Sequence, residues 1–304
     1  MWYDEKMVFP DGNAEPAGDD AFMVKTAQKM YHEISPETGE FIDFMIDHEL
    51  MDLQNKPGKA STGYMTSLPS LKAPFVFSCF NHTIFDMQVL THELGHAFAG
   101  YMAMRSQPIS DYYSESTDIA EIHSMSMEQF AYPYAEWFFG DQADKFRFAH
   151  LQEALTFVPF GVAVDEFQHI CYAHPELTPK ERTYQWHLLE EKYMPWRKYE
   201  NDAFMERGGY WYHKLHIYLY PFYYINYTLT TMGAMEFKKK YAEDKSAAWQ
   251  DYLKLCKTGG SRSYLETLRY ANLANPFEAG SVERACGYAE NILLEQLKEQ
   301  EQKV

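Results

Sequence analysis

Residues His82–Tyr101 read HTIFDMQVLTHELGHAFAGY. His92 and His96 are four residues apart, so on a helix both imidazoles project from one face and can grip a single ion. Glu93 follows the first of them. Its carboxylate is placed to reach a metal-bound water rather than the metal itself, which makes it a candidate general base. Asn81 or Thr83 can cap the segment, and the pattern predicts a helix over 83–104.

A catalytic zinc needs a third protein ligand and one open position. Residues Ser116–Phe130, STDIAEIHSMSMEQF, supply the candidates. The spacing predicts a second helix over 116–131, capped by Ser116 or Thr117. Glu121 and Glu128 lie two turns apart on one face. One can be the third ligand, and the other can fix a ligating histidine through its second ring nitrogen. Ile119, Ile122 and Met125 beside them indicate a packed helix.

Working outward, helical signals dominate. Residues 1–18, with Pro10, Gly12, Pro16 and Gly18, read as an irregular lead-in. Asp19 or Asp20 caps a helix to about Glu33, and Ser35-Pro36 opens another to about Leu53. Residues 60–80 are broken by Gly63, Pro69 and Pro74, and Phe75–Phe80 is a β-type run. Further helices are predicted over 142–157, 161–173, 179–193, 211–233, 235–256, 262–272 and 279–302. The fold class is therefore mainly α, with a small β-sheet before the metal-binding helix, arranged as one catalytic domain over 1–304.

Composition narrows the partners. With 27 Lys and Arg against 44 Asp and Glu, the formal charge is −17. That argues against nucleic acid or an anionic membrane surface as partner. The four cysteines include no CxxC pair, and the N-terminal residues carry no basic start and no apolar core. No run of 18 apolar residues occurs. These features predict reduced thiols and a cytoplasmic protein. Gly259-Gly260-Ser261 lacks the rest of a phosphate loop and reads as a helix-ending turn. His169, His174 and His187 have no partner spacing and read as structural.

The aromatic content is 17%, with 24 Tyr, and it peaks in Tyr212–Leu229, YHKLHIYLYPFYYINYTL. Pro221 should kink or break a helix here. Most of these rings read as core. A few polar tips have a second reading, because peptide hydrolysis develops an oxyanion that needs neutral donors, and His and Tyr provide them near pH 7.

HELGHAFAGY followed by TDIAEIHSMSME resembles the M3 oligopeptidases, especially the oligoendopeptidase F branch. KASTGYMTSLPSLKAPFVFSCFNHTIFD, FQHICYAHPELTP and TGGSRSYLETL resemble segments of the same branch, so the likeness runs from about Trp2 to about Phe277. It implies a zincin-type helical domain with one Zn²⁺ per chain on His92, His96 and Glu121. It also implies Glu93 as base and Glu128 as the acid behind a ligand. The Tyr-rich stretch resembles the family's HxY…PFYxxxY segment, which implies His216 and Tyr227 as contacts to the reacting carbonyl and Tyr220 and Tyr224 as neighbouring substrate wall. His213 is the alternative to His216. A β-edge around Gly63 would pair with an extended peptide. The implied activity is zinc-dependent endopeptidase cleavage of short peptides through a zinc-activated water. Family members usually carry a long N-terminal helical region that walls the substrate channel, and this sequence starts near the catalytic part. A partner chain or homo-oligomer would then complete the channel. The competing readings are a non-cleaving peptide-binding relative, a fragment that needs such a partner, and a zinc carboxypeptidase.

Overall fold

The structure, a computed structural model, describes residues 9–60 and 62–301. In chain order the helices are α1 (Asp20–Ile34) and α2 (Pro36–Asp47). The strands β1 (Met51–Asp52), β2 (Tyr64–Leu68) and β3 (Ala73–Phe77) follow. Then come α3 (Phe85–Ser106), α4 (Thr117–Ala131), α5 (Ala135–Phe139), α6 (Ala143–Ala173), α7 (Pro179–Tyr193) and α8 (Ala203–Glu206). The last are α9 (Leu215–Leu219), α10 (Ile225–Glu243), α11 (Lys245–Thr258), α12 (Tyr264–Tyr270) and α13 (Ser281–Glu301). The fold is mainly α with one small sheet, as predicted. No helix among the described residues is long and apolar enough to cross a membrane.

The chain forms two compact units. The larger comprises Asn13–Leu151 and Thr230–Val304. The smaller comprises Gln152–Leu229 with the described residues of Met1–Gly12. The predicted irregular lead-in holds for residues 9–18, and residues 1–8 lie outside the described residues.

In the larger unit the predicted caps are present at the first two helices. Asp19 accepts from the Phe22 amide, and Ser35 accepts from the Thr38 amide with Pro36 in the first turn. Helix α2, however, stops at Asp47 instead of Leu53. Glu49 takes a left-handed conformation, and Met51–Asp52 pairs in parallel with Val76–Phe77. Burial of Leu50 and Leu53 against the sheet overrides local helical continuation. The sheet order is β1-β3-β2, with β2 antiparallel to β3 in the register Tyr64↔Phe77 to Leu68↔Ala73. Strand β3 is central and mostly buried, and β2 alternates exposed and half-buried residues along an open edge.

Helix α3 is buried on most sides, against the sheet, α4 and α11. Neither Asn81 nor Thr83 caps it. Instead, Asp86 reaches back, and its carboxylate accepts from the amides of Asn81 and His82 at 3.1 and 2.8 Å. Aromatic rings fill the space between α3 and α11: Phe98 stacks on Tyr252 at 6.2 Å and packs at 5.7 Å from Trp249.

Helices α3 and α4 meet at a glycine. A Cβ on Gly95 would stand 2.7 Å from Ser124 Cα, 2.9 Å from Met127 Cβ and 3.0 Å from the His123 carbonyl oxygen. The backbones of helices α3 and α4 therefore approach each other closely at Gly95. On the other side of α4, a Cβ on Gly233 of α10 would lie 3.1 Å from Ile122 Cδ1. Tyr252 of α11 donates a buried hydrogen bond to the His123 carbonyl at 2.8 Å.

Three predicted boundaries are corrected. Helix α6 runs unbroken through Pro159, where two helices over 142–157 and 161–173 were expected. Proline removes one backbone donor, and burial of Val158 and Phe160 carries the helix across it. The helix predicted over 211–233 is instead a 3₁₀ turn (Gly209–His213), then α9, then a break at Tyr220–Tyr224, then α10. The next boundary lies at Asp244 and not at 234, because Asp244 caps α11 through the Ala247 amide. By contrast, α7 has its predicted bounds, fixed by a capping box in which Thr178 and Glu181 satisfy each other's amides.

Gly95→Ala should destabilise the protein by ~1–3 kcal/mol, the usual cost of overpacking. Thermal melts of the metal-free variant check this. An unchanged melting temperature would show that the α3–α4 contact has slack.

Candidate functional site

The α3–α4 contact brings the predicted ligands together. Glu121 Oε2 of α4 lies 3.1 Å from His92 Nε2 and 3.3 Å from His96 Nε2. One donor atom from each of the three residues lies within 4.8 Å of the other two. The imidazoles meet edge to face, with ring centres 5.0 Å apart. His92 Nδ1 lies 2.7 Å from Glu128 Oε1. If Nδ1 donates that bond, the Nε2 lone pair faces a carboxylate oxygen. Only a proton or a cation reconciles two lone pairs at that distance. Two imidazole nitrogens and one carboxylate oxygen suit zinc, so the residues present fit the metal.

Two further residues hold these groups, and neither was predicted. Ser124 Oγ donates to Glu121 Oε2 at 2.8 Å. Its position, three residues after Glu121 on a helix, is a local signal that could have found it. His150 Nε2 lies 2.6 Å from Glu128 Oε2, and both side chains are buried. His150 is on α6, alone in its sequence neighbourhood, so no spacing pointed to it.

The electrostatics follow from burial against pairing. Burial pushes the Glu121 carboxyl up, but hydrogen bonds from His92 and His96 outweigh it and hold the group well below the usual range. Glu128 is likewise pushed up by burial, and its bonds to His150 and His92 bring it down further. Burial lowers His92, yet Glu121 and Glu128 raise it well above an ordinary histidine. Glu93 differs. Burial raises its carboxyl and the neighbouring histidines do not offset this. It is 7% exposed, and its Oε2 has no hydrogen-bond partner among the described residues. A buried carboxylate left unsatisfied costs free energy, and such groups concentrate where chemistry occurs.

Gly63, just ahead of β2, abuts that carboxylate. A Cβ there would stand 2.9 Å from Glu93 Oε1. The glycine thus leaves room for Glu93 at the end of the open sheet edge.

The remaining predicted residues lie in the smaller unit. Its core gathers Phe160, Phe167, Trp186, Trp211 and Tyr224. His216, on α9, is half-buried among tyrosines, with ring centres 5.1 Å from Tyr224, 6.0 Å from Tyr227 and 6.2 Å from Tyr223. Tyr223 and Tyr227 hydroxyls are 3.3 Å apart. Tyr224 is buried in the core and Tyr220 is exposed. Burial, then the nearby Lys214 charge, lowers the His216 pKa, so the ring is neutral near pH 7 and keeps an N–H to donate. His213 points elsewhere, its Nδ1 bonded to the Tyr210 carbonyl. His169, His174 and His187 each pair with a nearby acid, Asp165, Glu176 and Glu191. Gly259 ends α11 at φ +49, where a Cβ would strike the Tyr112 carbonyl oxygen.

Known proteins resemble this chain in sequence and in structure. The chain is 26% identical over 229 residues to the oligoendopeptidase F homolog of Borreliella burgdorferi, covering 74% of this chain and 38% of that protein. It is 22% identical over 257 residues to oligopeptidase PepF of Bacillus subtilis, covering 82% and 37%. The solved structure of PZ peptidase A with inhibitor 2 superposes with a TM-score of 0.90 at 49% identity, covering 97% of this chain and 52% of that one. The chain thus spans less than two-fifths of the length of these two curated relatives and about half of the solved one. Peptidase family M3 matches residues 24–287, and the chain belongs to that family, with oligoendopeptidase F among its relatives.

Proposed function

We propose that this chain is a zinc-dependent endopeptidase acting on short peptides, with one zinc held by His92, His96 and Glu121. The observation that carries this reading is the buried, unpartnered Glu93 carboxylate on the turn that presents the two histidines. When bound, zinc would act as a Lewis acid and bring the pKa of a water down towards about 7. The chain's own residues do the rest. Glu93 takes the proton of the water attacking the scissile carbonyl, keeps it in a buried setting that favours the neutral acid, and delivers it to the leaving amine. Glu128 holds His92 in the tautomer that presents Nε2, and Ser124 orients Glu121. The resemblance of the Tyr-rich stretch to the family's segment supports His216 and Tyr227 as the donors to the carbonyl oxygen as negative charge develops there. Tyr220 forms part of the same wall. The open edge of β2, starting at Gly63, pairs with the backbone of an extended peptide. The free thiols Cys79, Cys171, Cys256 and Cys286 support a cytoplasmic setting.

A quenched peptide assayed with and without chelator, beside a zinc determination, tests the whole reading, and mass-spectrometric product mapping separates internal cleavage from trimming at the C-terminus. Glu93→Gln should keep its zinc and lose roughly 10²–10⁴ in turnover. Wild-type-like turnover would remove Glu93 as the base. Glu121→Ala should lose metal affinity, and full zinc retention would transfer the ligand role to Glu128. Tyr227→Phe should lower kcat by about 10²–10³ with little change in KM. An unchanged kcat would take Tyr227 out of the reaction.

A further inference from the structure

We propose that His150 is a positioning residue for the metal site, acting on His92 through Glu128. The inference rests on the zinc reading above and adds a member to the site.

Three observations carry it. First, a single buried carboxylate spans two imidazoles: Glu128 Oε1 is 2.7 Å from His92 Nδ1, and Glu128 Oε2 is 2.6 Å from His150 Nε2. Each oxygen therefore has its own histidine. Second, His150 Nδ1 is buried and has no hydrogen-bond partner among the described residues. A proton on Nδ1 would be an N–H sealed away from any acceptor, which is costly. The proton sits on Nε2, where it is donated to Glu128. Third, the ring cannot turn freely. It stacks on Phe146, one turn earlier on α6, at 5.4 Å and 9°, and lies 6.3 Å from Tyr132.

The direction of influence follows from these contacts. His150 is fixed by packing, and its N–H fixes Glu128 Oε2. With one oxygen anchored, Glu128 cannot rotate about its last bond, so Oε1 stays opposite His92 Nδ1. His92 is then locked in ring orientation and tautomer, with Nε2 directed at Glu121 and His96. Without the His150 donor, the buried Glu128 oxygen would be left unpaired and the carboxylate would be free to follow other partners. Orienting groups behind metal ligands change affinity by about 10–100-fold when removed.

A role confined to stability would make the same contacts, so the test reads metal affinity and coupling. Zinc dissociation constants are measured on the full chain by competition with a chromophoric chelator, beside melting of the metal-free proteins. His150→Phe keeps the ring stack and removes the donor. It should weaken zinc binding about 10–100-fold. His150→Asn, too short to reach Glu128, should do the same and serves if the Phe variant does not fold. His150→Gln, which retains an N–H of longer reach, should recover most of the affinity. In a Glu128→Gln background, His150→Phe should add less than about twofold, because both substitutions cut the same chain of contacts. Wild-type zinc affinity in His150→Phe or His150→Asn would overturn the inference while leaving the zinc reading intact. Full additivity with Glu128→Gln would also overturn it. If the unsubstituted protein binds no zinc, the zinc reading falls and takes this inference with it.

Discussion

The site depends on how closely α4 lies against α3. Two histidines on α3 are fixed by helical periodicity alone, but a ligand from another helix must arrive within about 3 Å of them. Gly95, between Glu93 and His96, makes that approach sterically possible, because any side chain there would overlap Ser124. The contact falls one turn from Glu121 and one turn from Glu128 on α4. Both acids are therefore carried to the histidines by one helix crossing. Gly233 and the Tyr252 hydroxyl hold α4 from its other sides, at Ile122 and the His123 carbonyl.

Such closeness creates an electrostatic problem that the neighbouring residues resolve unevenly. Glu121 is half-buried and Glu128 buried, yet each has at least two donors, and pairing outweighs desolvation. Glu93 is as buried as Glu128 and has no partner for Oε2 among the described residues. The contrast separates the three acids by environment without reference to any relative. Paired carboxylates are held as anions that can ligate or orient. The unpaired one sits where a proton is easily accepted and easily kept. That is the property a group needs if it is to take a proton in one step and return it in the next.

Much of this was legible in the sequence, and what was not has physical reasons. His92, Glu93 and His96 are read from a five-residue spacing, and Glu121 with Glu128 from a seven-residue spacing, because helices enforce both. Helix α7 could be bounded to the residue because Thr178 and Glu181 form a local capping box. His150 could not be found, since it meets Glu128 only through the packing of α6. The same holds for β1, whose two residues become a strand only because β3 is beside them, and for Pro159, which ends helices locally but is carried by burial here. The boundary at Asp244 was readable from its capping side chain. Gly233, within α10, serves a helix contact with Ile122 and ends nothing.

Metal and fold are coupled through the same few atoms. Glu121 and Glu128 raise His92 well above an ordinary histidine. His92 Nε2 faces the Glu121 oxygen 3.1 Å away. Glu121 is therefore turned towards both imidazoles by the packing of α4 on α3. A ligand set arranged this way loses little freedom when the ion arrives, because the ordering cost has already been met in folding.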